Sequence, residues 1–162
     1  MKGLRIFISL LFAVSLIMGC ANVDCPLNNT VYSHWSFYNE DKAVSIGDTL
    51  YFYARANGKD TLLINRLYNA KNMDVPLSYY QPADTFILEI HQPISADSIG
   101  IWQDMIIVSK DNLDHFNSPE CGIWHEHSVT NVINTNVTID SIQVVKSKID
   151  TNEDENFRIY FK

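Results

Sequence analysis

Thr49–Leu67, TLYFYARANGKDTLLINRL, decides the fold. Two runs rich in aromatic, aliphatic and β-branched residues flank Asn57-Gly58. That dipeptide accepts the positive φ angles a two-residue hairpin turn demands. The stretch therefore predicts two antiparallel strands joined by a tight turn. The same period of two continues outward. Val31–Asn39 (VYSHWSFYN) is aromatic-rich and strand-like. In TFILEIHQ (Thr85–Gln92), Phe86, Leu88 and Ile90 share one face, with Ile87, Glu89 and His91 on the other. DMIIVSK (Asp104–Lys110), GIWHEHSV (Gly122–Val129), IDSIQVVKS (Ile139–Ser147) and FRIYFK (Phe157–Lys162) read as further strands. No long stretch carries an apolar stripe of helical period with a cap at its start. About seven or eight short strands separated by turn residues predict an all-β chain, an antiparallel β-sandwich of immunoglobulin-like type. A small β-barrel is the alternative. Trp102 and Trp124 are read as core fillers.

The N-terminus speaks to location. Lys2 and Arg5 precede the uncharged apolar stretch Ile6–Met18, which has secretory-signal length and is too short to span a bilayer comfortably. It ends at Ile17-Met18-Gly19-Cys20, which resembles a bacterial lipobox. On that reading residues 1–19 are a lipoprotein signal peptide, and residues 20–162 form a single lipid-anchored β-sandwich domain beginning at an acylated Cys20. Each buried CH₂ of the anchor contributes about 0.8 kcal/mol, so several acyl chains hold the protein at the membrane without spanning it. The expected location is the outer membrane, facing the periplasm or the cell surface. Removing Lys2 and Arg5 takes the formal net charge from −7 to −9. An acidic body offers no electrostatic reason to bind nucleic acid or anionic headgroups.

The chain has 3 cysteines. With Cys20 lipidated, Cys25 and Cys121 remain as a pair in an oxidising compartment, and a disulfide between them is expected over two free thiols. Such a bridge closes a long loop, for which chain entropy gives roughly 4–5 kcal/mol. A cysteine so engaged is neither metal ligand nor nucleophile.

HFNSPECGIWHEH (His115–His127) is the segment that looks most like chemistry. On an extended strand His125 and His127 point to one face, and His115 folding back across the turn would supply a third nitrogen for a zinc ion. Glu120 or Glu126 would then serve as base. The competing reading is a half-buried strand face of Ile123, His125, His127 and Val129, whose imidazoles hydrogen-bond to neighbours. The HEH spacing suits a strand and departs from the HExxH helix of zinc proteases. The structural reading is preferred, and no metal or other cofactor is expected.

Asp150–Asn156 (DTNEDEN) begins like a calcium loop but has Glu155 where the turn glycine belongs and Phe161 where the bidentate glutamate belongs. It reads as a solvated loop. Asp-Thr-Leu and Asp-Ser-Ile triplets place Thr49, Thr61, Ser98 and Ser141 in a pattern that resembles an O-glycosylation sequon of Bacteroidota-type bacteria. The same triplets also suit a turn leading into a strand. No GxSxG, phosphate-cradling glycine loop or CxxC is present.

DHFNSPECG (Asp114–Gly122), His127 within EHSVT, IDSIQVVKSKID (Ile139–Asp150) and ENFRIYF (Glu155–Phe161) are similar to a family of small Bacteroidales lipoproteins, domain-of-unknown-function family 6452. Cys25 and VPLSYYQPADTF (Val75–Phe86) fit the same pattern. The resemblance implies a lipid-anchored, mainly β domain with two cysteines matching Cys25 and Cys121. His115 and His127 match histidines of the family, whereas position 125 is more often apolar there, which weakens a three-histidine metal site. The resemblance brings no established activity.

These readings converge on a non-catalytic cell-envelope lipoprotein acting as an accessory or protein-interaction module. An outer-membrane β-barrel or another envelope protein is the expected partner, met by strand addition at a sheet edge or by exposed tyrosines of YSHWSFY. The alternative is a lipoprotein binding a glycan or small ligand through Tyr79 and Tyr80. A metal-dependent hydrolase centred on His115, His125 and His127 ranks third.

Overall fold

The computed structural model describes residues 31–119 and 121–162. The signal peptide, Cys20, Cys25 and Glu120 lie outside the described residues. The strands are β1 (Tyr32–Asn39), β2 (Lys42–Ala43), β3 (Ile46–Ala56), β4 (Lys59–Ala70), β5 (Asn72–Pro76), β6 (Ala83–Ser95), β7 (Ser98–Ser118), β8 (Gly122–Asn134), β9 (Ile139–Val144), β10 (Lys148–Ile149) and β11 (Glu155–Phe161). They form a five-stranded sheet in the order β2-β1-β11-β9, with β5 also paired to β1, and a six-stranded sheet in the order β10-β8-β7-β6-β3-β4. The all-β, sandwich-like architecture is the one expected.

The strand count exceeds seven or eight because of three short additions. β2, β5 and β10 are short pairings that carry no alternation long enough to read in the sequence. The sandwich is also not wholly antiparallel as expected: β1 and β11 pair parallel, with Trp35 opposite Phe157 and Phe37 opposite Ile159. Pairing the two ends of a chain leaves no local trace.

The Asn57-Gly58 turn is as anticipated. Both residues have positive φ, 52° and 72°, and Ala56 faces Lys59 across it, so the hairpin closes on a type I′ turn.

Between the sheets lies one core built around Trp35. Its ring stacks on Phe157 at 4.0 Å and meets Phe52 at 6.2 Å and Phe86 at 6.5 Å. The indole N–H is not stranded: it donates to Ser33 Oγ at 2.8 Å, and that hydroxyl donates to the Val75 carbonyl at 2.8 Å. Leu50, Phe86, Leu88, Ile90, Ile106 and Val108 supply the six-stranded side, in the alternation the sequence shows. Trp102 and Trp124 are only half-buried and belong to the ends of the sandwich. The core tryptophan is Trp35, fully buried on β1, which is flanked on both sides.

Candidate functional site

Register explains the histidine segment. β7 and β8 pair with Asn112 opposite His127, Leu113 opposite Glu126, Asp114 opposite His125 and His115 opposite Trp124. Directly opposed residues share a face, and neighbours alternate. Asn112, Asp114, His125 and His127 therefore lie on one face, and His115, Trp124 and Glu126 on the other.

The three imidazoles do not converge, which corrects the three-nitrogen zinc arrangement of His115, His125 and His127. His115 stacks on Trp124 at 5.6 Å and 8°, with Nε2 3.0 Å from Glu126 Oε2. Lys148 Nζ also approaches that carboxylate, at 2.9 Å. Among the described residues no group of three His, Cys, Asp or Glu is placed to hold a metal ion. The candidate base Glu126 is thus engaged by the His115 ring and the Lys148 ammonium.

On the other face His125 and His127 are brought together as expected, over one ring. Tyr79 stacks on His125 at 4.6 Å and lies parallel to His127 at 6.1 Å and 8°. Tyr79, read with Tyr80 as an aromatic platform, thus has its ring engaged by the two imidazoles. Tyr80 alone is open, 87% exposed.

Lys110, which the sequence reading passed over, organises this corner. Its ammonium is buried and donates to the carbonyls of Ser78 at 2.6 Å and Gln81 at 2.8 Å and to Asn112 Oδ1 at 2.9 Å. Asp84 Oδ2 lies 3.3 Å away. Burial pushes the Asp84 carboxyl up from its ordinary range, with Lys110 and the Ser78 N–H opposing.

Because Asn112 Oδ1 accepts from Lys110, it accepts from His127 Nδ1–H as well, at 2.7 Å. His127 is therefore the Nδ1–H tautomer, and its buried Nε2 has no hydrogen-bond partner. Burial, then Lys110 and His125, lower its pKa to about 4. This is a neutral histidine that clamps the Leu77–Pro82 loop. The visible signal for Lys110 was a lysine on the core side of the alternation Ile106, Val108, Lys110.

The acidic loop is spent internally. Asp150 accepts from the Asn152 N–H at 2.9 Å and faces Lys148 at 3.3 Å and Lys146 at 3.8 Å, while Asp154 pairs with Lys146 at 2.5 Å. Lysines hold the charges a calcium ion would need.

Asp104 was also passed over. Its buried carboxylate accepts from Thr135 Oγ1, Val137 N, Thr138 N and Oγ1, and Ile139 N, over distances from 2.6 to 3.0 Å. Burial alone would raise its pKa, but these donors outweigh it and hold the pKa below the ordinary value.

Cys121 is buried at the β7–β8 turn and is not a free thiol. The expected pairing with Cys25 falls on a residue outside the described ones. Of the hydroxyls in the Asp-Thr-Leu and Asp-Ser-Ile triplets, Thr61, Ser98 and Ser141 are exposed, while Thr49 is half-buried in β3.

Among the described residues, two surfaces stand out as candidate contact sites. β1 is not an edge strand, so YSHWSFY offers no edge for strand addition, and of its tyrosines only Tyr32 is exposed. β4 is an edge, but positive φ at Arg66 (58°) and Asn69 (53°) and its register shifts against β3 bulge it, which blunts pairing with another chain. The outer face of the six-stranded sheet is different. Ile99, Ile101 and Ile133 point outward there, 64%, 58% and 52% exposed, and Tyr51, stacked on His91 at 4.6 Å, shares that face. Glu89 sits among them, bonded to His91 Nε2 at 2.6 Å and Gln103 Nε2 at 2.6 Å. The second surface is a cavity between the sheets at the end where Trp102 lies.

Comparison with curated proteins and with solved structures finds no match. One family model does match, covering residues 49–161, more than half of the chain, from β3 through β11. It thus includes the Lys110–His127 clamp, Asp104 and Cys121, and the chain belongs to that family, described as a family of unknown function, DUF6452.

Proposed function

We propose that this protein is a non-catalytic lipoprotein of the bacterial cell envelope, anchored through Cys20 and working as an accessory or protein-interaction module. The observation that carries the reading is the outer face of the six-stranded sheet, where Ile99 and Ile101 on β7 and Ile133 on β8 stand exposed. An apolar face of this kind suits a protein partner. In the envelope, a β-barrel of the outer membrane is the partner we favour. We favour docking by this face over strand addition at β4, because that edge strand is bulged.

The tether supports the same reading. β1 begins at Tyr32 opposite Pro76, next to the Leu77–Pro82 loop that Lys110 holds, and the β7–β8 hairpin runs on from Lys110 to Cys121. Val31, where the described residues begin, and the Cys121 turn therefore lie toward the same end of the sandwich. A Cys25–Cys121 bridge would fix the sandwich by that end to the membrane. Thr61, Ser98 and Ser141 are the exposed candidates for O-glycosylation.

Photocrosslinking in living cells tests the docking face. A photoreactive residue at Ile101 or Ile133 is expected to give one discrete adduct with an outer-membrane protein, and the same residue at Gln143 on the other sheet is not. Adducts of equal yield from all positions, or none from Ile101 and Ile133, would end the reading.

A further inference from the structure

The cavity between the sheets at the Trp102 end has a volume of about 520 Å³, within the usual range for a small-molecule site. We propose that it binds the ring of a neutral pyranose sugar, with the Trp102 indole as the stacking platform. This goes beyond the docking role of the outer face, because Trp102 points between the sheets and Ile101 away from them.

The first argument is the way Trp102 is laid down. A Cβ on Gly100 would stand 2.2 Å from Trp102 Cη2 and 2.5 Å from Cζ3, and 2.8 Å from Ile94 Cδ1. The indole thus folds back along β7 over a residue that must have no side chain, and Ile94 packs into the same space. A flat aromatic surface held rigidly by its neighbours costs little entropy when a ligand stacks on it. Ile90 and Phe161 continue the apolar floor.

The second argument is the rim. Among the described residues, the side chains of Asn39, Asp48 and Gln92 line the cavity without a hydrogen-bond partner. Two amides and a carboxylate match the alternating donors and acceptors of adjacent sugar hydroxyls. The cation at the rim is already committed: Lys162 Nζ donates to the carbonyls of Asn136 and Val137. The Ser45 hydroxyl donates to Asn69 at 2.7 Å and that of Thr138 to Asp104 at 2.6 Å. The free groups therefore select a neutral, hydroxyl-rich ligand over an anion, and their number disfavours an acyl chain.

Saturation-transfer difference NMR on the full chain in detergent micelles tests this, with N-acetylglucosamine, galactose and N,N′-diacetylchitobiose as probes and phosphate and decanoate as competitors. The expected result is saturation of ring C–H protons of at least one sugar. The signal should fall about tenfold in Trp102→Ala and in Gly100→Val, survive in Trp102→Phe, which keeps a platform, and be unchanged in Tyr80→Ala. Competition by decanoate or phosphate would overturn the ligand class. No saturation from any sugar, or saturation that Trp102→Ala leaves intact, would overturn the site. A loss in Trp102→Phe equal to that in Trp102→Ala would do the same, because it removes the platform argument.

Discussion

The His127 imidazole lies within 8° of parallel to the Tyr79 phenol, 6.1 Å away, and is fully buried. A neutral ring suits that position, and burial, Lys110 and His125 all act to keep it neutral, with a pKa of about 4 against 6.5 for the free side chain. The folded chain therefore takes up this proton later than the unfolded chain as pH falls. Stability is unaffected above pH 6.5 and declines between 6.5 and about 4, by about 3 kcal/mol at most. Urea denaturation across that window should show the decline. It should flatten in His127→Phe, which keeps the stack and cannot titrate. A pH profile identical in the two proteins would contradict the assignment.

Asp104 ties the Thr135–Ile139 turn to β7 through five donor groups. Asp104→Ala strips them of their acceptor and is expected to cost about 3–5 kcal/mol, with Asp104→Asn costing less because one carbonyl oxygen remains. The folded pKa is depressed, so this contribution is present above the ordinary carboxyl range and is lost as pH falls below it. Equilibrium urea unfolding of the three proteins at neutral pH gives the ranking directly.

Lys110→Met should act at a distance along the chain. It leaves Asp84 buried without its cation and frees the carbonyls of Ser78 and Gln81. We expect a loss of about 3 kcal/mol, typical of removing one partner from a buried pair. Hydrogen exchange should speed up in Ser78–Gln81, with little change at the Asn57-Gly58 hairpin. Uniform acceleration across both sheets would show that Lys110 is not a local clamp.

At the hairpin itself, Gly58 has φ of 72°. Gly58→Ala is expected to destabilise by about 1 kcal/mol, since a Cβ is disfavoured in the left-handed region. Open space surrounds the position, so the cost comes from backbone strain alone. Thermal unfolding resolves a change of that size, and an unchanged midpoint would argue against the type I′ turn.

What the sequence made legible was local. Asn57-Gly58 named its own turn, and the alternation Phe86, Leu88, Ile90 named its own core face. The shared face of His125 and His127 followed from the period of two within one strand. The position of His115 did not, because its face is set by register against β8, which places it opposite Trp124. The centrality of β1 depended on partners distant in sequence, β5 from mid-chain and β11 from its C-terminal part, and so the burial of Trp35 was hidden while Trp102 and Trp124 were overrated as core. Lys110 and Asp104 were passed over because charged residues on strands are usually solvated; each is buried here only because a turn elsewhere in the chain supplies its partners.

Native mass spectrometry of the full-length gene product, recovered from membranes without chelator, tests the account most directly. The expected species begins at Cys20 with its acyl chains attached, carries no metal, and has Cys25 and Cys121 blocked to alkylation until reduced. A chain lacking lipid, or one holding a stoichiometric metal that is lost with His127→Ala, would contradict it.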